Sequence, residues 1–155
     1  KRPLLFDIVG QIAPYQCYLT ARGLPQPGDL VGKEPVVSCW LEARPHFMSE
    51  INWRGVKDSV GKVIEAISGN VDTSRLFAKD DDGRPMLQII WQGYSGQTAG
   101  VLPMFDALGN HRVPATISEV PFGEAMHACF SIEYYSCRQT GTRIAFANLV
   151  RIVNT

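Results

Sequence analysis

The stretch that decides the fold is MHACFSIEYY, residues 126–135, in which two sets of side chains alternate one by one. Met126, Ala128, Phe130, Ile132 and Tyr134 form the apolar set. This period of two is typical of a β-strand that buries one face and exposes the other. The last part of the chain therefore begins with a long, half-buried strand.

A second strand is predicted after the polar turn Cys137–Thr142, over Arg143–Val153. Four large apolar side chains are expected on one of its faces, namely Ile144, Phe146, Val150 and Ile152. Ala145 and Ala147 on the other face leave room for a close neighbour. Two long strands joined by a short polar turn predict a β-hairpin.

Four further segments are rich in β-branched and aromatic residues and are bounded by proline, glycine or polar residues, which predicts strands. They are Leu4–Ile12, Tyr15–Thr20, Pro35–Ala43 and Met86–Gln92.

One amphipathic helix is predicted between the last two of these strands. Its apolar residues recur at helical spacing and form one stripe, which consists of Val56, Val60, Val63, Ile64 and Ile67. The Gly69-Asn70 pair predicts the end of the helix. We expect the stripe to pack against the core.

The acidic segment Lys79–Arg84 lies in a polar connection that runs from Val71 to Pro85. A calcium-binding loop would need acids at alternate positions, whereas this segment has three consecutive aspartates followed by Gly83. That pattern predicts an exposed hairpin turn. Asp106–Asn110 predicts another turn.

Length and composition predict a single domain spanning residues 1–155. Of the 155 residues, 45% are hydrophobic and 19% are charged, as in globular proteins. With 15 basic and 15 acidic residues the net charge is zero, which argues against a uniformly basic surface that coats nucleic acid. A groove can still be locally positive.

Neither a membrane segment nor a disulfide framework is expected. No stretch approaches the roughly 20 apolar residues of a membrane helix. The four cysteines, at positions 17, 39, 129 and 137, are dispersed without metal-ligand spacing, which predicts buried free thiols in a cytoplasmic protein. Because the sequence begins without methionine, we expect terminal segments to be missing from it.

The order strand, strand, strand, helix, strand and hairpin predicts a mainly β protein with one or two helices. We expect an OB-fold-like Greek-key barrel with extra strands. In that fold a helix commonly lies between the third and fourth strands. A small β-sandwich is the alternative architecture.

Catalytic patterns are missing from the sequence. It contains no nucleophile elbow, and its three histidines, His46, His111 and His127, have no paired spacing for a metal. Sequence alone cannot place Cys17 or Cys129 beside one of these histidines, so a catalytic set of nucleophile, base and acid gains no support. The protein is therefore not expected to be an enzyme, and no cofactor is expected.

Aromatic and basic residues instead occur close together in the strands and the adjoining loops. Trp53 stands beside Arg54 and Lys57, and Tyr135 lies close to Arg138 and Arg143. Proteins that bind single strands stack bases on flat side chains and hold the phosphates with cations. Most aromatic residues of any domain are core residues, and we expect Trp40 and Phe130 to be buried.

Three segments of the closing region resemble the C-terminal half of tailed-phage single-stranded DNA-binding proteins. They are VPFGEAMHA at residues 120–128, IEYY at residues 132–135 and TGTRIAFANLVRIV at residues 140–153. In that family a glycine precedes a long strand, a polar turn with glycine follows, and a mostly apolar strand closes the domain.

The resemblance implies an OB-fold that binds single-stranded DNA with little sequence preference, protecting or annealing it in replication or recombination. Expected partners are single-stranded DNA, replication or recombination proteins and further copies of this chain, in the cytoplasm of a host cell if the protein is viral. The family usually ends in an acidic tail that recruits partners, and this sequence stops at Thr155 without one. Recruitment of partners through an acidic tail is therefore not among the properties that the resemblance implies for this protein.

The predicted site combines stacking and phosphate-contacting residues. The stacking residues are Trp53, Trp91, Tyr94 and Tyr135. The phosphate-contacting residues are Arg44, Arg54, Lys57, Arg138 and Arg143. Two alternatives stay open: a non-catalytic protein-interaction module or subunit of a phage or mobile-element assembly, and a barrel that binds a small ligand in an apolar cavity.

Overall fold

The structure is a computed structural model, and it describes residues 4–17, 37–44, 47–67, 71–91, 102–136 and 139–154. Its strands in chain order are β1 (Leu5–Ile12), β2 (Val37–Glu42), β3 (Val71–Asp72), β4 (Phe77–Lys79), β5 (Pro85–Trp91), β6 (Met104–Phe105), β7 (Met126–Ser136) and β8 (Arg143–Asn154). One α-helix, α1 (Phe47–Glu65), follows β2, and a 3-10 turn spans Ile117–Glu119.

Five of the strands close into a barrel. β1 pairs antiparallel with β2, β2 with β5, β7 with β1 and β8 with β7, and the parallel pairing of β5 with β8 completes the ring. This is the strand order of a five-stranded Greek-key barrel, the OB-fold plan. The mainly β, OB-fold-like architecture predicted from the sequence is confirmed, and the short strands β3, β4 and β6 are the extra strands.

The helix occupies a different position in the strand order from the one expected. It lies between the second and third strands of the ring, β2 and β5, rather than between the third and fourth. The reason is that the predicted strand Tyr15–Thr20 is wrong in its described part. Tyr15 and Gln16 form a bend, in which Gln16 has a positive φ of 49°.

The side chains that point inward along the strands fill the barrel interior. Phe6, Ile8 and Ile12 of β1 and Phe130 of β7 are buried, and the Phe6 and Phe130 rings stack with centroids 5.5 Å apart. Each such side chain contributes roughly 1.5–3 kcal/mol on full burial. The prediction that Phe130 is a core residue is confirmed.

A β-bulge in β8 changes which side chains of that strand face the core. Cys129 lies opposite Arg151, and Phe130 lies opposite Leu149, so Val150 is the extra residue. Ile144 and Phe146 therefore lie on the outer face on one side of the bulge, where Phe146 is still buried, whereas Ile152 points inward on the other side. The expectation that Ile144, Phe146, Val150 and Ile152 share one face is wrong, because the inserted residue shifts the alternation by one.

Helix α1 closes the gap that opens where β1 and β2 separate. The two strands pair only at Gln11 with Glu42 and at Ile12 with Leu41. Further along β1, the Val9 N–H donates to Asn52 Oδ1 (3.2 Å), and Trp53 Nε1 donates to the Val9 carbonyl (2.7 Å). Two side chains of the helix thus satisfy the backbone groups that a neighbouring strand would otherwise pair.

The predicted apolar stripe of α1 packs on the core. Val60 is buried, and Val56, Val63 and Ile64 lie against the core residues. The helix begins nine residues before Val56, at Phe47, and ends at Glu65, before Ile67. The predicted stop at Gly69-Asn70 lies outside the described residues.

The two predicted turns are confirmed. β4 and β5 form a hairpin in which Lys79 pairs with Pro85, and Asp80 Oδ1 accepts hydrogen bonds from the Asp82 and Arg84 amides. In the second turn, Asp106 Oδ1 accepts hydrogen bonds from the Leu108 and Asn110 amides in the same way.

The cysteines within the described residues, Cys17, Cys39 and Cys129, are free thiols. Cys39 alone among them is buried, so the prediction of burial is wrong for Cys17 and Cys129, which are partly exposed. Cys137 lies outside the described residues.

Candidate nucleic-acid interface

Trp53, the first predicted stacking residue, belongs to the core. Its side chain is only 2% exposed, and its Nε1–H group donates a hydrogen bond to the Val9 carbonyl. A base needs an accessible ring face on which to stack. The burial of Trp53 therefore contradicts its predicted role, because that ring fills the space between α1 and β1.

Trp91 is buried as well. It ends β5 in register with Val37 and is 7% exposed. Strand alternation explains this position, because Trp91 has the same parity as the core residues Leu87 and Ile89. Its predicted stacking role is likewise contradicted, and Tyr94 lies outside the described residues.

The predicted cations that the structure describes do not form one cluster. Arg54 and Lys57 are exposed on α1, where Lys57 Nζ lies 6.0 Å from the centroid of the Phe77 ring. Arg44 follows β2, and its Nη1 donates to the Gly123 carbonyl at 3.1 Å. Arg44 therefore joins the end of β2 to the loop before β7.

The β7–β8 hairpin carries two predicted residues, Tyr135 and Arg143, on opposite faces. Tyr135 lies opposite Ile144, and the next pair is Ser136 with Arg143. Tyr135 is 41% exposed, and its ring lies against Phe146 with centroids 5.9 Å apart. Successive pairs alternate between the two faces of the hairpin, so Arg143 lies on the face of Tyr134, where its charge lowers the pKa of that phenol against the raising effect of burial. The accessible ring of Tyr135 is suited to stacking a base. Arg138, in the same hairpin, lies outside the described residues.

The outer surface of β2 and β5 carries a tryptophan that we expected in the core. Cys39 and Leu41 point inward, so Trp40 points outward and is partly exposed. Its Nε1–H donates to Gln16 Oε1 at 3.2 Å, and it pairs across the sheet with Gln88. The expectation that Trp40 is a core residue is therefore wrong.

Tyr15 lies over the same surface. Its hydroxyl contacts Met86 Sδ at 2.6 Å, and its side chain is 41% exposed. Met86 is on the outer side of β5, opposite Glu42, and the tyrosine covers it. We call the surface formed by Tyr15, Trp40, Gln88 and the outward side chains around them the β2–β5 face.

Charges of both signs border the β2–β5 face. Glu42 is buried there and accepts a hydrogen bond from Gln11 Nε2 at 2.7 Å, and Arg84 Nη1 lies 3.6 Å from the same carboxylate oxygen. Burial raises the pKa of the Tyr15 phenol, and the carboxylates of Glu42, Asp80 and Asp81 raise it further. The phenol therefore stays neutral at physiological pH, and the acidic β4–β5 turn lies within electrostatic reach of this face.

The β2–β5 face continues towards the β7–β8 hairpin. Ser38 pairs with Ile90, and Ile90 pairs with Asn148 of β8. In five-stranded barrels of this kind, oligonucleotides bind to the surface of the second and third strands and to the loops after the first and fourth strands. Here those elements are β2, β5, the loop that contains Tyr15, and the turn of the β7–β8 hairpin.

Alternation could have identified Trp40 from the sequence. In β2 the residues Val37, Cys39 and Leu41 form the apolar set, and Trp40 belongs to the set of Ser38 and Glu42. A tryptophan among the polar positions of a strand is a signal of an exposed aromatic residue. Tyr15 gives no comparable signal, because it lies in a bend whose shape depends on tertiary contacts.

Other kinds of site find little support among the described residues. None of their His, Cys, Asp and Glu side chains form a group of three that could hold a metal ion. A cleft of about 680 Å³ is lined by residues of β6, the turn that follows it and residues 118–124. No helix in the described part of the chain is both long enough and apolar enough to cross a membrane.

Comparison with solved structures identifies proteins of the same architecture. The single-stranded DNA-binding protein of bacteriophage Enc34, in complex with single-stranded DNA, has a TM-score of 0.63 and 15% identity over 97% of this chain and 85% of that chain. The fold is shared with phage single-stranded DNA-binding proteins. The predicted resemblance, first drawn from the closing residues, is confirmed for the fold of nearly the whole chain.

Two further structures agree with this result. A second structure of the Enc34 protein has a TM-score of 0.62 and 14% identity over 97% of this chain and 79% of that chain. Gp2.5, the single-stranded DNA-binding protein of bacteriophage T7, has a TM-score of 0.53 and 14% identity over 99% of this chain and 86% of that chain. No protein-family model matches the sequence, and no curated protein matches it.

Proposed function

We propose that this protein binds single-stranded DNA with little sequence preference, through the β2–β5 face and the β7–β8 hairpin. The observation that carries the proposal is the pair of accessible aromatic side chains, Tyr15 and Trp40, on the face that OB barrels use for oligonucleotides. The Enc34 and T7 proteins that share the fold are single-stranded DNA-binding proteins, which supports the same ligand class.

In this proposal the bases stack on Tyr15 and Trp40, with Tyr135 as a third stacking residue on the hairpin. Arg84 and Arg44 lie where β5 begins and β2 ends, and Arg143 begins β8 on the opposite face of the hairpin from Tyr135. These three cations are the phosphate-contacting candidates. Arg54, Lys57, Tyr94 and Arg138 stay predictions from the sequence.

Replacing either aromatic residue tests the proposal. Each base that stacks on a side chain contributes roughly 1–3 kcal/mol, so Tyr15→Ala or Trp40→Ala should weaken oligo-dT binding by about tenfold or more. The measurement is fluorescence anisotropy of a labelled oligonucleotide in low salt, with circular dichroism to verify the fold of each variant. Tyr15→Phe keeps the ring and should bind nearly as tightly as the wild type.

Leu108→Ala is the matched control, because Leu108 is 87% exposed and lies on the distant β6 turn. If both alanine variants bind like the wild type while Tyr135→Ala does not, the strand follows the hairpin rather than the β2–β5 face. A wild-type protein without detectable oligo-dT binding in low salt would contradict the proposed function itself.

The proposal extends to the biological role of the protein. We propose that binding protects or anneals single strands during replication or recombination, and that residues 1–155 form a single OB-fold-like domain. An annealing assay with complementary oligonucleotides tests the role. Acceleration by the wild type but not by Trp40→Ala is the expected result.

A further inference from the structure

Strand β1 has one edge that its neighbours leave partly unpaired. On one side β1 pairs with β7 from Leu5 to Gly10, whereas on the other side it pairs with β2 only at Gln11 and Ile12. Among the strands that the structure describes, none lies beside the first residues of β1 on that second side. An open strand edge presents backbone donors and acceptors with which another chain can pair.

The backbone groups of Leu5 and Asp7 point to this open side. The N–H and C=O groups of Val9 are hydrogen-bonded to Asn52 and Trp53 of α1, so they point away from β7. These groups alternate in direction along a strand, so Leu5 and Asp7, which have the same parity as Val9, direct theirs the same way. Within the described segments, no hydrogen bond reaches the outward N–H and C=O groups of these two residues.

A groove of about 410 Å³ follows this edge. Its walls are formed by residues 5–7 of β1 and by five residues of α1, namely Ile51, Asn52, Gly55, Val56 and Ser59. We call it the β1 edge groove. Leu5 is 48% exposed and Ile51 47%, so accessible aliphatic side chains line it on both sides. A Cβ atom at Gly55 would meet nothing within 4 Å, which leaves room in the groove beside α1.

We propose that the β1 edge groove binds an extended, basic segment of a partner protein, which joins the sheet as a strand beside Leu5–Asp7. In this mode of recognition the main-chain hydrogen bonds give affinity, and the alternate side chains give specificity. The segment pairs over a short length, because Asn52 and Trp53 already occupy the backbone groups of Val9. This binding uses a surface other than the β2–β5 face and does not depend on DNA binding.

The basic character of the segment follows from Asp7. The side chain of Asp7 is 65% exposed, and His127 Nε2 holds its Oδ1 atom at 3.1 Å. One set of side chains of an added strand lies beside Leu5 and Asp7, and opposite charges attract across neighbouring strands. A lysine or arginine meets this condition, since its head reaches Asp7 and its aliphatic stem packs on Leu5. The same acid repels an acidic strand.

The other set of side chains of the added strand lies beside Phe6 and faces α1. Val56 packs against the core there, so the wall that this set meets is apolar. The space at Gly55 accommodates a branched side chain, and β-branched residues favour an extended backbone. The segment therefore alternates lysine or arginine with valine, isoleucine or threonine.

A peptide of alternating lysine and valine, acetylated and amidated at its ends, is the probe for this groove. Anisotropy of a fluorescent label on the peptide measures its binding to the full chain. A peptide of alternating glutamate and valine tests the charge, and N-methylation of the lysine amides tests the backbone pairing at unchanged charge. Each change should weaken binding by about tenfold or more, since the first places like charges beside Asp7 and the second removes the donors that face β1.

Amide hydrogen exchange followed by NMR locates the bound peptide. A saturating concentration of the lysine and valine peptide should slow exchange at Leu5 and Asp7 by about tenfold or more, because each amide gains a hydrogen bond. The Val9 amide is the internal control. It already donates to Asn52 and should change little.

Filling the groove tests its position. Gly55→Leu leaves the core undisturbed, because the new side chain extends into open space, and it should weaken binding of the peptide by roughly tenfold or more. Gly61→Leu is the matched control. Gly61 also lies in α1 with nothing within 4 Å of its Cβ position, but it lines a different groove beside Phe77.

Neutralising the acid tests the charge of the groove. Asp7→Asn should weaken binding of the peptide by about two- to fivefold in low salt. Asp82→Asn, an equal change at an exposed residue of the β4–β5 turn, should leave it unchanged.

Three results would overturn the proposal. The first is a lysine and valine peptide without detectable binding in low salt, and the second is binding that Gly55→Leu does not weaken. The third is exchange at Leu5 and Asp7 that slows with rising protein concentration in the absence of peptide, which would place a second copy of the chain at this edge. Oligo-dT binding by Gly55→Leu should equal that of the wild type, so the failure of this proposal and of the proposed DNA binding are seen separately.

Discussion

At the scale of single residues, the packing at Gly10 leaves no space for a side chain. Gly10 lies where β1, β2 and α1 meet. A Cβ atom there would lie 2.7 Å from the Glu42 carbonyl oxygen and 3.0 Å from the ring of Trp53. Neither neighbour can move freely, because the first is backbone and the second is buried and hydrogen-bonded to Val9.

Gly10→Ala should therefore destabilise the protein by about 1–3 kcal/mol, the usual cost of overpacking a core. Urea unfolding followed by circular dichroism measures the change. Gly55→Ala is the matched control, since a Cβ at Gly55 meets nothing within 4 Å. Gly55 lies within α1, so that substitution should stabilise the protein by roughly 0.5–1 kcal/mol. Equal effects of the two substitutions would contradict the close contact at Gly10.

The same residue scale shows what the sequence could and could not predict of the site. Trp53 has basic neighbours along the chain, and this suggested a surface role. Its indole instead fills the seam between α1 and β1, a contact with Val9, which is 44 residues away in sequence. No local pattern contains that contact, whereas the outward direction of Trp40 follows from alternation alone.

At the scale of secondary-structure elements, regular patterns were good predictors and irregularities were not. The bounds predicted for β1, β5, β7 and β8 differ from the observed ones by at most one residue at either end, because alternation and apolar runs reflect burial directly. The bulge at Val150 is invisible in the sequence. One extra valine leaves the strand as apolar as before, and it changes which side chains face the core only for the residues beyond it.

The acidic β4–β5 turn gives an element-scale prediction about DNA binding. Asp80 is engaged within the turn, whereas Asp81 is exposed and lies within electrostatic reach of Tyr15. Asp81→Asn removes a charge that repels phosphates and should tighten oligo-dT binding by roughly two- to threefold in low salt.

Asp58→Asn, on the exposed side of α1, is the control for this charge change. Anisotropy titrations of both variants at two salt concentrations provide the comparison. The gain from Asp81→Asn should shrink as salt screens it. An unchanged affinity in low salt would indicate that the strand does not pass near Tyr15.

At the scale of the whole molecule, zero net charge limits the electrostatic part of binding. A single strand that contacts about three cations should give a slope of about −2 for the logarithm of the binding constant against the logarithm of salt concentration. Titrations with oligo-dT from low to physiological salt measure the slope. A slope close to zero would contradict phosphate contacts, and Arg143→Ala should make the slope shallower by about 0.7.

The parallel pairing of β8 with β5 has a consequence for biosynthesis. β8 also pairs with β3, β6 and β7, so four strands made earlier depend on it. A ribosome delivers those four before Arg143 emerges, and until then the nascent chain has an open sheet with apolar residues facing water. Ring closure is therefore a late event, and the growing polypeptide passes through a stage that is exposed to chaperones and proteases.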